Sequence, residues 1–430
     1  MFDTPTLGEL NLEYTLPALS LALGSIVLLV FDLFIPKGRK NITAGLAVIG
    51  VIVSFVLNLW LFNKNASAFQ DMFVVDEFTG FINIVALLTA LLSILLSIDY
   101  LKRADIEQGE FYPLLLMTTA GVMFMASANN LVVLFIALEL LSIPLYVLAA
   151  FRYPELKSEE SGMKYFILGA FASAFFVYGS ALTYGATGTT DLRVIAGEVG
   201  AIAAGQSAEF LLLAGTGLLL VGLGFKIAVV PFHMWTPDVY EGAPTPVTAY
   251  MSVAAKVGGF AALLRIMAVA LPGFVGAEEG IAMWQDVVWI VAAATLILSN
   301  IVAVAQTDIK RMLAYSSISH AGFILMAVAA AGTAAVKDIA VQAALIYLLT
   351  YMFGNIGAFG VALAVEKDDG TGTRLDDFVG LAKKQPALAF MMAVFMFSLT
   401  GIPLTAGFIG KWFVFRAALD ANLIVLAVIA

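Results

Sequence analysis

Apolar residues fall in runs of about twenty along the whole chain, separated by short polar connections. A helix of roughly twenty apolar residues spans the ~30 Å hydrocarbon core of a bilayer. The pattern predicts membrane helices near residues 14–35, 43–62, 78–98, 112–128, 131–150, 164–184, 209–231, 246–270, 284–305, 312–331, 339–364 and 388–414, with a further run beginning at 422. That last run reaches the final residue without a polar flank, so its remainder is expected beyond this sequence or from a partner chain. The longest connections, 185–209 and 366–385, are too short to fold as domains; Gly188–Asp191 and Gly370–Gly372 read as turns. The expected fold class is an all-α polytopic membrane protein built as one bundle.

Composition agrees. Hydrophobic residues make up 61% of the 430 and charged residues 12%, against about 25% charged in soluble domains; mean hydropathy is +0.98. The chain has no cysteine, which removes disulfides, thiolate catalysis and Cys-ligated iron–sulfur clusters. Its two histidines, His233 and His320, show no pattern that pairs them on a haem. A net charge of −9 collected in loops gives no sign of nucleic-acid binding. The N-terminus lacks the basic flank and small-residue cleavage site of a signal peptide, so the first run reads as a retained span.

Basic residues set an orientation. Connections after the odd-numbered runs hold fourteen Lys and Arg residues; the others hold Lys64, Arg193 and Lys337 alone. The positive-inside rule then places the N-terminus outside. Five basic residues remain inside the runs: Lys226, Lys256, Arg265, Lys411 and Arg416. Arg265 and Arg416 lie near run ends, from which they can snorkel to the interface. Asp32, near Pro36, also reads as interfacial.

The three lysines and Glu139 are expensive in hydrocarbon, and an ionisable group there is a functional hypothesis by default. Glu139 and Lys226 each precede a proline by five residues, Pro144 and Pro231. A proline within a helix removes one hydrogen bond and opposes the carbonyl four residues back, which for Pro231 is that of Ile227. Lys256 sits mid-run, and Lys411 follows Gly401, Pro403, Gly407 and Gly410. Irregular backbone at membrane depth is tolerated only against protein or water. Desolvation disfavours the charged form of carboxylate and ammonium alike, so both can exchange protons near neutral pH. His320, among Ser316, Ser317 and Ser319, can relay between lysine sites. Plainer readings stand beside these: a static Glu139–Lys226 ion pair, a carbonyl partner for Lys256, a structural hydrogen bond for His320, and a capping or interface role for His233. The two interrupted runs lie five runs apart and so cross in opposite directions, a feature of inverted repeats.

Four segments carry a family resemblance: ALELLSIPLYVLAAFR (137–152), FKIAVVPFHMWTPDVYEGAPTPVTAYMSVAAKVG (225–258), TDIKRMLAYSSISHAGF (307–323) and GIPLTAGFIGKW (401–412). They resemble the antiporter-like membrane subunits of respiratory complex I, and the first and last narrow this to the subunit N (subunit 2) type. The resemblance implies an antiporter-like bundle of fourteen helices, of which twelve to thirteen are present, with two inverted five-helix repeats and two discontinuous helices. Residues 1–110 would form N-terminal helices, 111–270 the first repeat and 284–430 the second. Glu139 matches the coupling glutamate, Lys226 its partner on the first broken helix, Lys256 the central lysine and Lys411 the lysine of the second broken helix. His320 falls at a polar relay position.

The implied function is proton translocation within NADH-quinone oxidoreductase, a translocase activity with no redox site on this chain. NAD, FMN, iron–sulfur clusters and quinone are expected on other subunits. Partners would be a similar antiporter-like neighbour, small membrane subunits, the peripheral redox arm and the lipid bilayer, in a bacterial plasma (inner) membrane. A multi-subunit cation/proton antiporter is the alternative, and a structural spacer between pumping neighbours a third.

Overall fold

The computed structural model describes residues 6, 8–199, 202, 207–271, 281–368 and 370–430. Its helices are α1 (Leu16–Asp32), α2 (Asn41–Leu61), α3 (Glu77–Arg103), α4 (Phe111–Ser127), α5 (Leu131–Ala149), α6 (Leu156–Thr187), α7 (Leu192–Val199), α8 (Ser207–Ile227), α9 (Thr236–Gly242), α10 (Thr245–Leu264), α11 (Gln285–Val304), α12 (Ile309–Ala331), α13 (Lys337–Val365), α14 (Leu381–Lys384), α15 (Pro386–Thr400), α16 (Ala406–Asp420) and α17 (Ile424–Ile429). Ten of the described helical segments are long and apolar enough to cross a membrane, and α4 and α15 are shorter apolar helices. Every predicted run finds a helix.

Local sequence explains the boundaries. Asp76, Asn130 and Asp308 cap α3, α5 and α12 by accepting backbone N–H groups. A short hairpin, β1 (Ala66–Ala68) with β2 (Phe73–Val75), fills the connection before α3. In the 185–209 connection, α7 buries Leu192, Ile195 and Val199 on one face. The helix α6 begins before 164, so Lys157 and Lys164 belong to its first turns.

Burial ranks the helices. The apolar core of α10 is 94% buried and that of α12 83%, against 28–33% for α1, α2, α6 and α11. Apolar side chains such as Val27, Phe171 and Val304 therefore face outward, as a lipid-facing surface requires.

Four expectations are corrected or sharpened. The run 209–231 stops being helical at Ile227, because Ala228 turns left-handed (φ 62°), so Pro231 lies beyond the helix. By contrast α5 continues through Pro144. The run 388–414 is two helices, α15 and α16, separated at Gly401 (φ 86°) and Leu404 (φ 76°). Arg265 does not snorkel: its guanidinium is buried, forks onto both Asp76 oxygens at 2.7 Å and donates to Thr79 Oγ1 and the Ala126 carbonyl. Partial burial works to raise the Asp76 carboxyl, but Arg265 and the Thr79 hydrogen bonds together outweigh it and hold the group below its ordinary range. Asp32 is likewise buried, with Lys40 at 2.7 Å and Thr43 at 2.5 Å.

The odd-numbered connections meet at one end of the bundle. Arg152 reaches Glu366 and the Asp368 carbonyl, Lys157 and Arg311 reach Glu241, and the backbones of Asp308 and Arg374 pair as an isolated β-bridge. At the opposite end, Asn129 contacts Asp71 and Asp191.

Candidate functional site

The first cluster is built where α5, α6 and α8 meet. Lys226 occupies the last turn of α8, where carbonyls lack intrahelical partners and the helix dipole favours a cation. Its side chain is 3% exposed. The ammonium donates to Ser142 Oγ at 2.8 Å and to the Tyr165 hydroxyl at 3.1 Å. It lies 5.2 Å from the Tyr165 ring centre and 5.8 Å from that of Tyr146, close enough for cation–π attraction. Tyr165 stacks on Trp235 at 4.4 Å, and Trp235 Nε1 donates to the Phe225 carbonyl. The backbone after the break thus supplies the rear wall of the lysine's aromatic box.

Glu139 is half-buried and accepts from Ser173 Oγ on α6. The static Glu139–Lys226 ion pair is not formed; each group is held by hydroxyls instead. Ser142 lies three residues beyond Glu139 on the same face of α5 and is the element between them.

Lys256, on the central helix α10, is 1% exposed, and its Nζ donates to the Ile227 carbonyl at 3.0 Å. That carbonyl is the one identified from Pro231, and it ends α8. Gly259 permits this approach: a Cβ there would lie 2.5 Å from Ile227 Cγ2.

Lys411, on α16, repeats the device. Its Nζ donates to the carbonyl of Thr400, the last residue of α15, at 3.0 Å. It sits 4.3 Å over the Phe323 ring. Phe323 stacks on Tyr347, whose hydroxyl meets His320 Nδ1 at 2.6 Å. Each broken helix therefore ends on a carbonyl occupied by a lysine ammonium.

His320 is 7% exposed. Its neighbour Tyr351 donates to Ser317 Oγ at 2.7 Å and to the Ser252 carbonyl at 3.3 Å, and Asn355 Nδ2 donates to Ser252 Oγ at 2.5 Å. These bonds join α10, which carries Lys256, to α12 and α13, which carry His320 and Tyr347. His233, past the first break, is half-buried and its Nδ1 has no partner.

Sequence reasoning missed Ser142, Tyr146, Tyr165, Ser173, Tyr347, Tyr351 and Asn355. Serine and tyrosine are common in apolar helices, and only their convergence marks these. One signal was available: Tyr347, Tyr351 and Asn355 recur every fourth residue on α13, as a polar stripe. Among the described residues no group of His, Cys, Asp and Glu is arranged to hold a metal ion.

An array of ionisable groups, linked by hydroxyls and buried between helix breaks, is suited to moving protons. Comparison with known proteins gives the family of the chain. The family described as "NADH:quinone oxidoreductase/Mrp antiporter, TM" matches residues 128–430. NADH-quinone oxidoreductase subunit N of Trichlorobacter lovleyi is 46% identical over 98% of this chain and 84% of its own length. A chain of respiratory complex I from Thermus thermophilus superposes with a TM-score of 0.76 at 34% identity, covering 96% of this chain and 86% of that one. A chain of the Mrp complex from Dietzia sp. DQ12-45-1b gives a TM-score of 0.82 at 25% identity, covering 97% and 77%. The chain belongs to the antiporter-like membrane family of NADH:quinone oxidoreductases and Mrp antiporters, and within it to the NADH-quinone oxidoreductase subunit N family.

Proposed function

We propose that this chain is a proton-translocating membrane subunit of a NADH:quinone oxidoreductase, coupling quinone reduction elsewhere in the complex to proton movement through Glu139, Lys226, Lys256, His320 and Lys411. The observation that carries the reading is the state of Lys226 and Lys256. Both ammoniums are buried without a carboxylate partner, one on two hydroxyls and the other on a helix-end carbonyl. A lysine so placed releases or gains its proton when a nearby charge moves, whereas an arginine would stay charged. The array then works in sequence: a change at Glu139 alters the field at Lys226, and the proton steps through Lys256 and the His320–Tyr347 pair to Lys411.

The same reading divides the chain into N-terminal helices (1–110) and two inverted repeats (111–270 and 284–430). Its support is that each repeat holds one broken helix and one lysine on the carbonyl at the break. NAD, FMN, iron–sulfur clusters and quinone belong to other subunits in this reading. Antiporter-like and small membrane subunits and the peripheral arm are the partners, in a bacterial inner membrane with the N-terminus outside. The Mrp likeness supports a second reading, a subunit of a cation/proton antiporter. The fold does not separate the two, since its TM-score is the higher one, whereas sequence identity favours the first.

Lys226→Ala tests the assignment. The expected result is an assembled complex that oxidises NADH and moves fewer protons per electron pair, read in inverted membrane vesicles with a pH-sensitive dye. Unchanged pumping by the assembled variant would remove Lys226 from the path. Peripheral flavin and iron–sulfur chains should co-purify; sodium-driven proton exchange without them would favour the antiporter.

A further inference from the structure

The basic-rich end of the bundle contains a polar cavity of about 570 Å³ to which Tyr100, Arg152, Lys310, Arg374 and Glu366 contribute. Glu366 follows the last residue of α13 and is only 3% exposed, although it borders this space. Its two oxygens face different surroundings. Oε1 accepts from the Tyr100 hydroxyl at 2.9 Å and lies 3.4 Å from Arg152 Nη1, both of which line the cavity. Oε2 accepts from Thr245 Oγ1, which is fully buried and heads the central helix α10. The carboxylate therefore stands between the vestibule and the interior.

Inward of Glu366, α10 and α13 run antiparallel with polar residues facing each other. On α10 they are Thr245, Thr248, Ser252 and Lys256, spaced three, four and four residues along one helix face. From α13 comes Asn355, bonded to Ser252, followed by Tyr351. The path from Thr245 to Lys256 covers about 16 Å of helix. One buried polar atom on it has no partner, Asn355 Oδ1 on α13, and on the neighbouring helix α3 Ser93 Oγ has none either. Ser93 lies seven residues inward of Tyr100, just as Ser252 lies seven inward of Thr245. Buried orphans of this kind are ordinarily satisfied by ordered water. Glu366 and Thr245 thus join the vestibule to the head of the polar seam.

We propose that Glu366 is the proton-loading residue of this chain, taking protons from the vestibule and passing them through Thr245 along the α10–α13 seam to Lys256. This rests on the pumping reading above and adds an entry to it. In the loading step a hydronium in the vestibule gives its proton to the carboxylate, leaving water and a neutral acid that no longer holds Arg152. In the transfer step the acid rotates to bring its proton to the side of Thr245, whose hydroxyl turns inward; the hydroxyl oxygen then accepts the acid's proton as its own passes to seam water. A neutral Lys256 amine accepts the proton, and the Glu366 carboxylate is restored. Arg152 keeps other partners throughout, in Glu155 at 2.8 Å and the Asp368 carbonyl at 2.8 Å.

The test uses the assembled complex in vesicles, with Glu366→Gln, the double variant Arg152→Gln/Glu366→Gln, and Lys226→Ala in parallel. The proposal expects pumping to fall at least tenfold in Glu366→Gln and to stay low in the double variant. It also expects a carboxyl C=O band in the infrared difference spectrum on energisation that Glu366→Gln lacks. Recovery of pumping in the double variant would show that Glu366 is needed only as the counter-charge of Arg152, and would overturn the proposal. Normal pumping in Glu366→Gln beside impaired Lys226→Ala would overturn it while leaving the pumping reading intact. Normal pumping in both would overturn the two together. Where Glu366→Gln fails to assemble, Glu366→Asp decides: a shifted carboxyl band with slower pumping supports loading, and an unchanged spectrum refutes it.

Discussion

Lys226 shows how a single buried charge is held without an ion pair. It has no carboxylate within reach, so its ammonium is supported by two hydroxyls, two ring faces and the end of a helix. These are weaker and more easily exchanged than a buried ion pair, whose rupture leaves an uncompensated charge costing several kcal/mol. Tyr165→Phe isolates one contribution, because it keeps the ring over the ammonium and the stack on Trp235 while deleting the hydroxyl. A hydrogen bond to a charged group is worth about 1.5–3 kcal/mol, equivalent to at least a tenfold slower step. Proton transfer in the assembled variant should fall by about that factor, whereas Tyr165→Leu, which also removes the ring, should impair it further; stopped-flow acidification of vesicles measures both.

At the scale of elements, the breaks do the positioning, and glycine makes the second one possible. A Cβ at Gly407 would lie 1.7 Å from the Ser398 carbonyl oxygen, a backbone atom that cannot rotate away. Gly407→Ala should therefore push α16 off α15 and carry Lys411 away from Thr400, at a cost of about 1–3 kcal/mol or more. Gly24→Ala on α1 is the control, since nothing lies within 4 Å of the added methyl; it should be neutral or stabilising by up to ~1 kcal/mol. Thermal unfolding of the purified complex and its proton-to-electron ratio give the two readouts. The glycine cluster and Pro231 were legible as breakers in the sequence. Where each helix stops was not, because Ala228 and Leu404 carry no intrinsic preference for the left-handed backbone they adopt.

Across the molecule, α9 ties α6 to α12. Asp238 meets Lys164 and Arg311, and Glu241 meets Lys157 and Arg311, so this short helix is pinned to α6 on one side and α12 on the other. Partial burial works to raise both carboxyls, but their basic partners outweigh it, holding Asp238 below its ordinary 3.8 and Glu241 below 4.5. A carboxyl depressed by folding adds stability that is complete above its unfolded value and disappears as pH falls through the folded one. Thermal stability should hold from about pH 7 to pH 5 and decline below about pH 4. An Asp238→Asn/Glu241→Gln variant should be less stable at neutral pH and flatter across that range. Added salt should weaken the wild-type network, since several of its members are exposed.

Much of this protein follows from its sequence alone. Hydrophobic run length determined the helices, because a bilayer admits few other structures. The cost of charge in hydrocarbon singled out Glu139, Lys226, Lys256 and Lys411. Pro231 drew attention to the Ile227 carbonyl, though not to Lys256 as its partner. Tertiary structure alone decided the partners. It separated Glu139 from Lys226, buried Arg265 on Asp76, gathered Ser142, Tyr165, Tyr347 and Tyr351 around the charges, and set Glu366 between vestibule and seam. Hydroxyl-bearing residues are individually unremarkable in apolar helices. They acquire a role only when packing brings them from different helices within 3 Å or so of one buried charge.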